Sequence, residues 1–125
     1  MVHALAPGLY KIDVFRGDAE GKALRTVKQV ESCISAAMIA HHTVFKMLSD
    51  HPVSQCPEYN VCGGEFRTGF VAQCIGTDSR SALGMFALGP SDFRGRIDIR
   101  NGESKIVGTE IQYGERVGRC PGDGH

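Results

Sequence analysis

Five cysteines, Cys33, Cys56, Cys62, Cys74 and Cys120, constrain this 125-residue chain more than any other feature. No Cys-x-x-Cys pair occurs, and no histidine pair follows at zinc-finger distance, so the pattern does not encode a structural zinc site. Spread along the whole length, the cysteines read as crosslinks of a small β-rich domain made for an oxidising compartment. Cys56 and Cys74 flank a predicted hairpin with its turn near Gly63 to Thr68, and antiparallel strands of that length bring their sulfurs together. Cys33 ends the second predicted strand and Cys120 follows the last. A bridge between them ties the C-terminal tail to the start of a helix and closes a long loop, worth roughly 4–5 kcal/mol as an upper estimate. Cys62 is left over, as a buried small side chain, a free thiol, or the anchor of an intermolecular bridge. Spacing does not fix connectivity, and these pairings are expectations.

The length sets a single domain, residues 1–125 with a core over about 7–120. Fourteen basic residues balance 14 acidic ones, which leaves no global field to gather nucleic acid or an anionic membrane. Tryptophan is absent and only 7% of residues are aromatic, too few for a platform that stacks single strands. No apolar run approaches the roughly 18 residues of a membrane-spanning helix. The richest, Ala82 to Leu88, is strand-sized.

Sixteen glycines punctuate short apolar segments, as expected for strands joined by tight turns. Strands are predicted over Leu9–Arg16, Ala23–Glu31, Glu58–Phe66, Thr68–Ile75, Ala82–Leu88, Phe93–Arg100 and Glu103–Tyr113. One helix is predicted over about 35–50, because Ile34, Ala37, Met38, His41, Phe45 and Leu48 recur at helical spacing. Ser35 is its N-cap, Ile34 and Ile39 flank it as a hydrophobic staple, and Asp50-His51-Pro52 stops it. Asn101-Gly102 fits a two-residue hairpin turn. That register sets Arg100 opposite Glu103, Asp98 opposite Lys105, and Ile97 opposite Ile106. The resulting fold class is α+β, mostly β: a bent antiparallel meander of about seven strands, a barrel-like half-wrap, with the helix packed on it.

The order of motifs resembles a known family. Pro7-Gly8-Leu9-Tyr10 opens the first strand, and Val30-Glu31-Ser32-Cys33-Ile34-Ser35 enters the helix. Phe70-Val71-Ala72-Gln73-Cys74, Phe93-Arg94-Gly95-Arg96-Ile97 and Arg116-Val117-Gly118-Arg119-Cys120 follow. Over residues 7 to 120 the chain resembles the small exported bacterial proteins catalogued as domain of unknown function 3617. The resemblance implies a periplasmic or lipid-anchored, β-rich, disulfide-bonded domain, and carries over no catalytic residue. The chain departs from it in Cys62 and in having tyrosine at position 10. No basic segment followed by an apolar one opens the chain. It is therefore read either as cytosolic with reduced thiols or as a mature domain whose export signal is replaced by Met1; cysteine density and the resemblance favour the second.

Candidate chemistry is sparse. His41 and His42 diverge by about 100° on a helix and are poorly placed to share a metal ion; His41 is expected as a core or boundary residue beside Phe45. Gly84 to Gly95 lacks the strand, glycine loop and helix order of a phosphate cradle. Arg94, Arg96 and Arg100 share a strand face, either as a solvated surface or as a small anion patch. Glu110 falls opposite Phe93 in the Asn101-Gly102 register, on an apolar face. There it either returns to solvent or lines, with Phe93, a pocket between helix and sheet. No cofactor is expected. The function read from these residues is an exported, non-enzymatic binding or structural module, with partners unassigned. The alternatives are a carrier of a small apolar ligand between helix and sheet, and a thiol-dependent redox protein using Cys62.

Overall fold

The computed structural model describes residues 3–75 and 79–121, without the side chain of Cys62. Among these residues seven antiparallel strands form one open sheet. They are β1 (Gly8–Gly17), β2 (Arg25–Ile34), β3 (Glu58–Cys62), β4 (Arg67–Gln73), β5 (Ser81–Leu88), β6 (Asp92–Arg100) and β7 (Ile106–Gly118). Their order across the sheet is β2-β1-β7-β6-β5-β4-β3. Strands β3 to β7 form a meander. The β1–β2 hairpin joins it through pairing of β1 with β7, so β2 and β3, consecutive in the chain, occupy opposite edges.

That topology forces the segment between Ile34 and Glu58 to cross the sheet from edge to edge. It is mostly not helical. The predicted helix over 35–50 is confined to α1 (Ala36–Ala40), and a short 3₁₀ turn, Pro52–Gln55, ends the crossing. The start matches expectation, with the Ser35 hydroxyl accepting the Met38 amide at 3.1 Å and Ile34 and Ile39 both buried. The stop was not readable. His42 adopts φ 59°, its amide donates to Ile39 O, and the Thr43 amide donates to Met38 O. This is the two-bond C-terminal motif that glycine normally supplies. Histidine takes the position because its ring is held elsewhere, with Nδ1 3.1 Å from the Thr68 hydroxyl and the ring edge-on to His3. Beyond it an extended strap inserts Val44, Phe45 and Met47 into the core.

The two hairpins that end in Asx loops share one design. Asp18 Oδ1 accepts the amides of Glu20 (3.1 Å) and Lys22 (2.8 Å), and Asn101 Oδ1 accepts those of Glu103 (2.9 Å) and Lys105 (3.1 Å). The fourth position of each loop is left-handed, Gly21 at φ 76° and Ser104 at φ 63°. Asn101 therefore caps a longer loop instead of occupying a two-residue turn. The register shifts by four residues over Phe93 to Ile99, where Ile97 faces Glu110, Asp98 faces Thr109 and Phe93 faces Gly114, and by three beyond a bulge, where Arg100 faces Ile106. The expected pairs Arg100–Glu103, Asp98–Lys105 and Phe93–Glu110 do not form. Up to Ile99 the even shift leaves each side chain on its expected face.

Inward-facing phenylalanines pair with glycines across the strands, Phe70 with Gly84, Phe86 with Gly95, and Phe93 with Gly114. A Cβ at any of these glycines would meet the partner ring at 2.1 to 2.3 Å, so each ring lies flat over the backbone opposite. Phe45 of the strap packs on Phe86 at 5.3 Å and on Phe93 at 6.2 Å. Residues before β1 cover one end of the sheet: Ala4 and Ala6 donate to Glu65 O and Pro90 O, Leu5 is buried, and the Tyr10 hydroxyl donates to Ala6 O.

Two disulfides complete the frame, Cys33–Cys120 (Cα–Cα 5.3 Å) and Cys56–Cys74 (Cα–Cα 4.9 Å). These are the pairings inferred from the sequence. Their placement carries a further meaning, since Cys33 precedes the strap and Cys56 follows its 3₁₀ turn. Each end of the crossing is thus crosslinked, the first to the chain just past β7 and the second to the chain just past β4.

Candidate functional site

The concave face of the sheet is filled by the strap. An extended strap has no internal partners for its backbone polar groups, and burying them unpaired would cost about 1–3 kcal/mol each. Two polar residues on the inner face of β7, Glu110 and Gln112, meet that demand; both are fully buried. Glu110 Oε2 accepts the Leu48 amide (2.9 Å) and the Gln112 side-chain amide (2.7 Å). Its Oε1 accepts the Ser49 amide (3.1 Å) and the Ser49 hydroxyl. Gln112 Nε2 also donates to Lys46 O at 2.7 Å. From the other side Lys28 Nζ donates to Leu48 O (3.0 Å) and Arg16 Nη1 to the Ser49 hydroxyl (3.3 Å). Glu110 is neither solvated nor opposite Phe93, and its acceptor positions are taken by the strap and by Gln112.

The convex face is different. Strand pairing aligns outward residues in two rows, Tyr113–Arg94–Ala87–Arg67 and Ile111–Arg96–Met85–Gly69. All but Gly69 line a cleft of about 420 Å³ whose floor is apolar and whose walls are the three arginines. Met85 and Tyr113 are exposed there, at 45% and 44% of their surface. Gly69 keeps the second row low, since a Cβ at that position would meet the Met85 sulfur at 2.9 Å. Near Arg96 the β1–β2 loop closes in, with Gly21 so near that a Cβ would stand 2.8 Å from Arg96 Nη1. Arg96 Nε donates to Asp98 at 3.1 Å. Arg67 and Arg94 make no side-chain hydrogen bond or ion pair among the described residues. A second, polar cleft of about 570 Å³ adjoins this one through Arg94 and Tyr113 and runs to Lys11, Asp13, Asp92, Glu115 and Arg116.

Of the arginines grouped from sequence, Arg94 and Arg96 stand together, whereas Arg100 is half-buried at the far end of β6 beside Ser81 and Ile106. Arg67 takes the third place. It comes from β4, two strands away, and only the pairing Arg67–Ala87–Arg94 reveals it. His41, expected on the apolar stripe, is exposed at the end of α1, and His42 turns inward. Among the described residues no three His, Cys, Asp or Glu side chains gather at metal-binding distance. Cys62 ends β3 opposite Thr68; its thiol, expected as a buried side chain, a free thiol or an intermolecular anchor, lies outside the described residues. No described helix is long and apolar enough to cross a membrane. No family model matches this sequence, and no curated protein or solved structure matches it either.

Proposed function

We propose that this chain is an exported, periplasmic or envelope-associated binding module without catalytic activity. The observation that carries the reading is the pair of disulfides at the two ends of the strap, a crosslinked frame suited to an oxidising compartment. The motif order that resembles domain of unknown function 3617 supports the same compartment. The filled concave side leaves the convex face as the binding surface, since Phe45 and the Glu110 network occupy the space a carrier would need between strap and sheet.

The experiment is alkylation of the native protein, exported to the bacterial periplasm and left unreduced, followed by mass spectrometry of the intact chain. One alkylated thiol, rising to five after reduction, is the expected result. Five alkylated thiols before reduction would remove export from the reading. A Cys62→Ser variant is expected to lose the single label and keep its fold.

A further inference from the structure

We propose that the convex cleft binds a small amphipathic anion, one carboxylate on an acyl-type apolar body. This names the ligand of the binding module proposed above and rests on that reading. The cleft of about 420 Å³ is of single-ligand size. Three guanidinium groups line it and, among the described residues, no carboxylate does; Asp98, next along the strand, is bonded to Arg96. The next acid in the row, Asp13, is held by Gln29 Nε2 at 2.6 Å. Asp92 and Glu115 stand beside Arg94 in the adjoining polar cleft but make no ion pair with it, so among the described residues Arg67 and Arg94 both keep their guanidinium donors unpaired.

Their placement suits one headgroup. They flank Ala87 in a single cross-strand row, about 10 Å apart at the backbone by strand spacing, and the methyl group between them leaves room above it. Long guanidinium side chains from either side can converge there, and their planar donor forks match a carboxylate. Beside them Met85 and Ile111 give an apolar bed, with the Met85 thioether free to adapt to a chain. A phosphate or sulfate alone would leave this bed in water. A neutral chain would leave the arginines unused.

The test is a ¹⁵N-edited NMR titration of the exported, oxidised protein with decanoate below its micellar concentration. Decanoate is expected to shift the amides of Met85, Ala87, Arg94 and Ile111. The R67Q/R94Q variant is expected to bind at least about tenfold more weakly, the loss of a charge-assisted contact. 1-Decanol, with the same chain and no charge, is expected to fall by a similar factor. No shifts, or shifts unchanged in R67Q/R94Q, would overturn the proposal. So would shifts confined to Val44, Phe45 and Phe86, which mark entry beneath the strap, or binding to phosphatidylglycerol vesicles without binding to decanoate. None of these outcomes alters the thiol count, so the cleft can fail while the exported module stands.

Discussion

Glu110 and Ser49 are 61 residues apart in the chain and meet under the strap, where one carboxylate oxygen accepts both the amide and the hydroxyl of Ser49. A carboxylate offers acceptor sites only, and four donors converge on this one. An amide side chain could not replace it, since its NH₂ would face donors.

Replacing Glu110 with leucine keeps the volume and strands the amides of Leu48 and Ser49 in the core. The expected cost is about 3–5 kcal/mol, from several orphaned donors acting together. Urea unfolding of E110L against the parent measures it. A loss below about 1 kcal/mol would mean that apolar contacts alone hold the strap.

The Phe93–Gly114 pair makes a second prediction. A Cβ at Gly114 meets the ring at 2.1 Å, and the ring is also packed against Phe45 and Phe86, so it has no free direction of retreat. G114A is expected to destabilise by about 1–3 kcal/mol through overpacking. An unchanged denaturation midpoint would show that the ring can leave its place over the backbone. G118A, with nothing within 4 Å of its Cβ, is the matched control.

The paired Asx loops predict a gain. Ser104 holds φ 63°, a left-handed conformation that costs a residue with a Cβ roughly 1–2 kcal/mol, while Gly21 fills the equivalent place without that cost. S104G is expected to raise stability by about 0.5–1 kcal/mol after the extra chain entropy of glycine is subtracted. A melting temperature at or below the parent's would contradict this. N101A acts in the opposite sense, because it removes the acceptor for the Glu103 and Lys105 amides.

What the sequence disclosed depended on how local the cause was. The Cys56–Cys74 bridge was legible because the two cysteines flank a tight hairpin, whereas Cys33 in β2 and Cys120 after β7 meet across the intervening β1 and were paired from sequence as the ends that remained. Alternation placed Tyr10, Ile12, Val14, Phe93 and Ile97 inside, as found. The helix was overextended because apolar residues 34 to 48 satisfy a helical period and a strap alike, and its stop is a histidine anchored to Thr68, not a glycine. The hairpin register was missed because Asn101 acts through its side chain on amides two and four residues on. Pairing of β1 with β7 leaves no local mark at all, and with it the need for a strap, the partners of Glu110 and the row that brings Arg67 to Arg94 stayed hidden.

The last prediction concerns pH. His51 Nδ1 accepts the Val53 amide at 3.1 Å, capping the 3₁₀ turn at the far end of the strap. Only the unprotonated nitrogen can accept. Burial first, then Arg16 and Arg80, hold this imidazole below its ordinary value of 6.5, with Glu110 pulling the other way. Burial, then His3, lowers His42 in the same direction. A histidine with a depressed value binds its proton more readily in the unfolded chain. Its stabilising contribution is therefore complete above about pH 6.5 and lost as pH falls toward the folded value. The parent is expected to melt a few degrees lower at mildly acidic pH than at neutral pH. H51N supplies a capping oxygen that does not titrate in this range, so its melting temperature should fall less over the same interval. Glu58, raised by burial, contributes in the opposite sense in both proteins and cancels in the comparison. Parallel pH profiles for parent and H51N would show that the cap at His51 does not couple strap and proton.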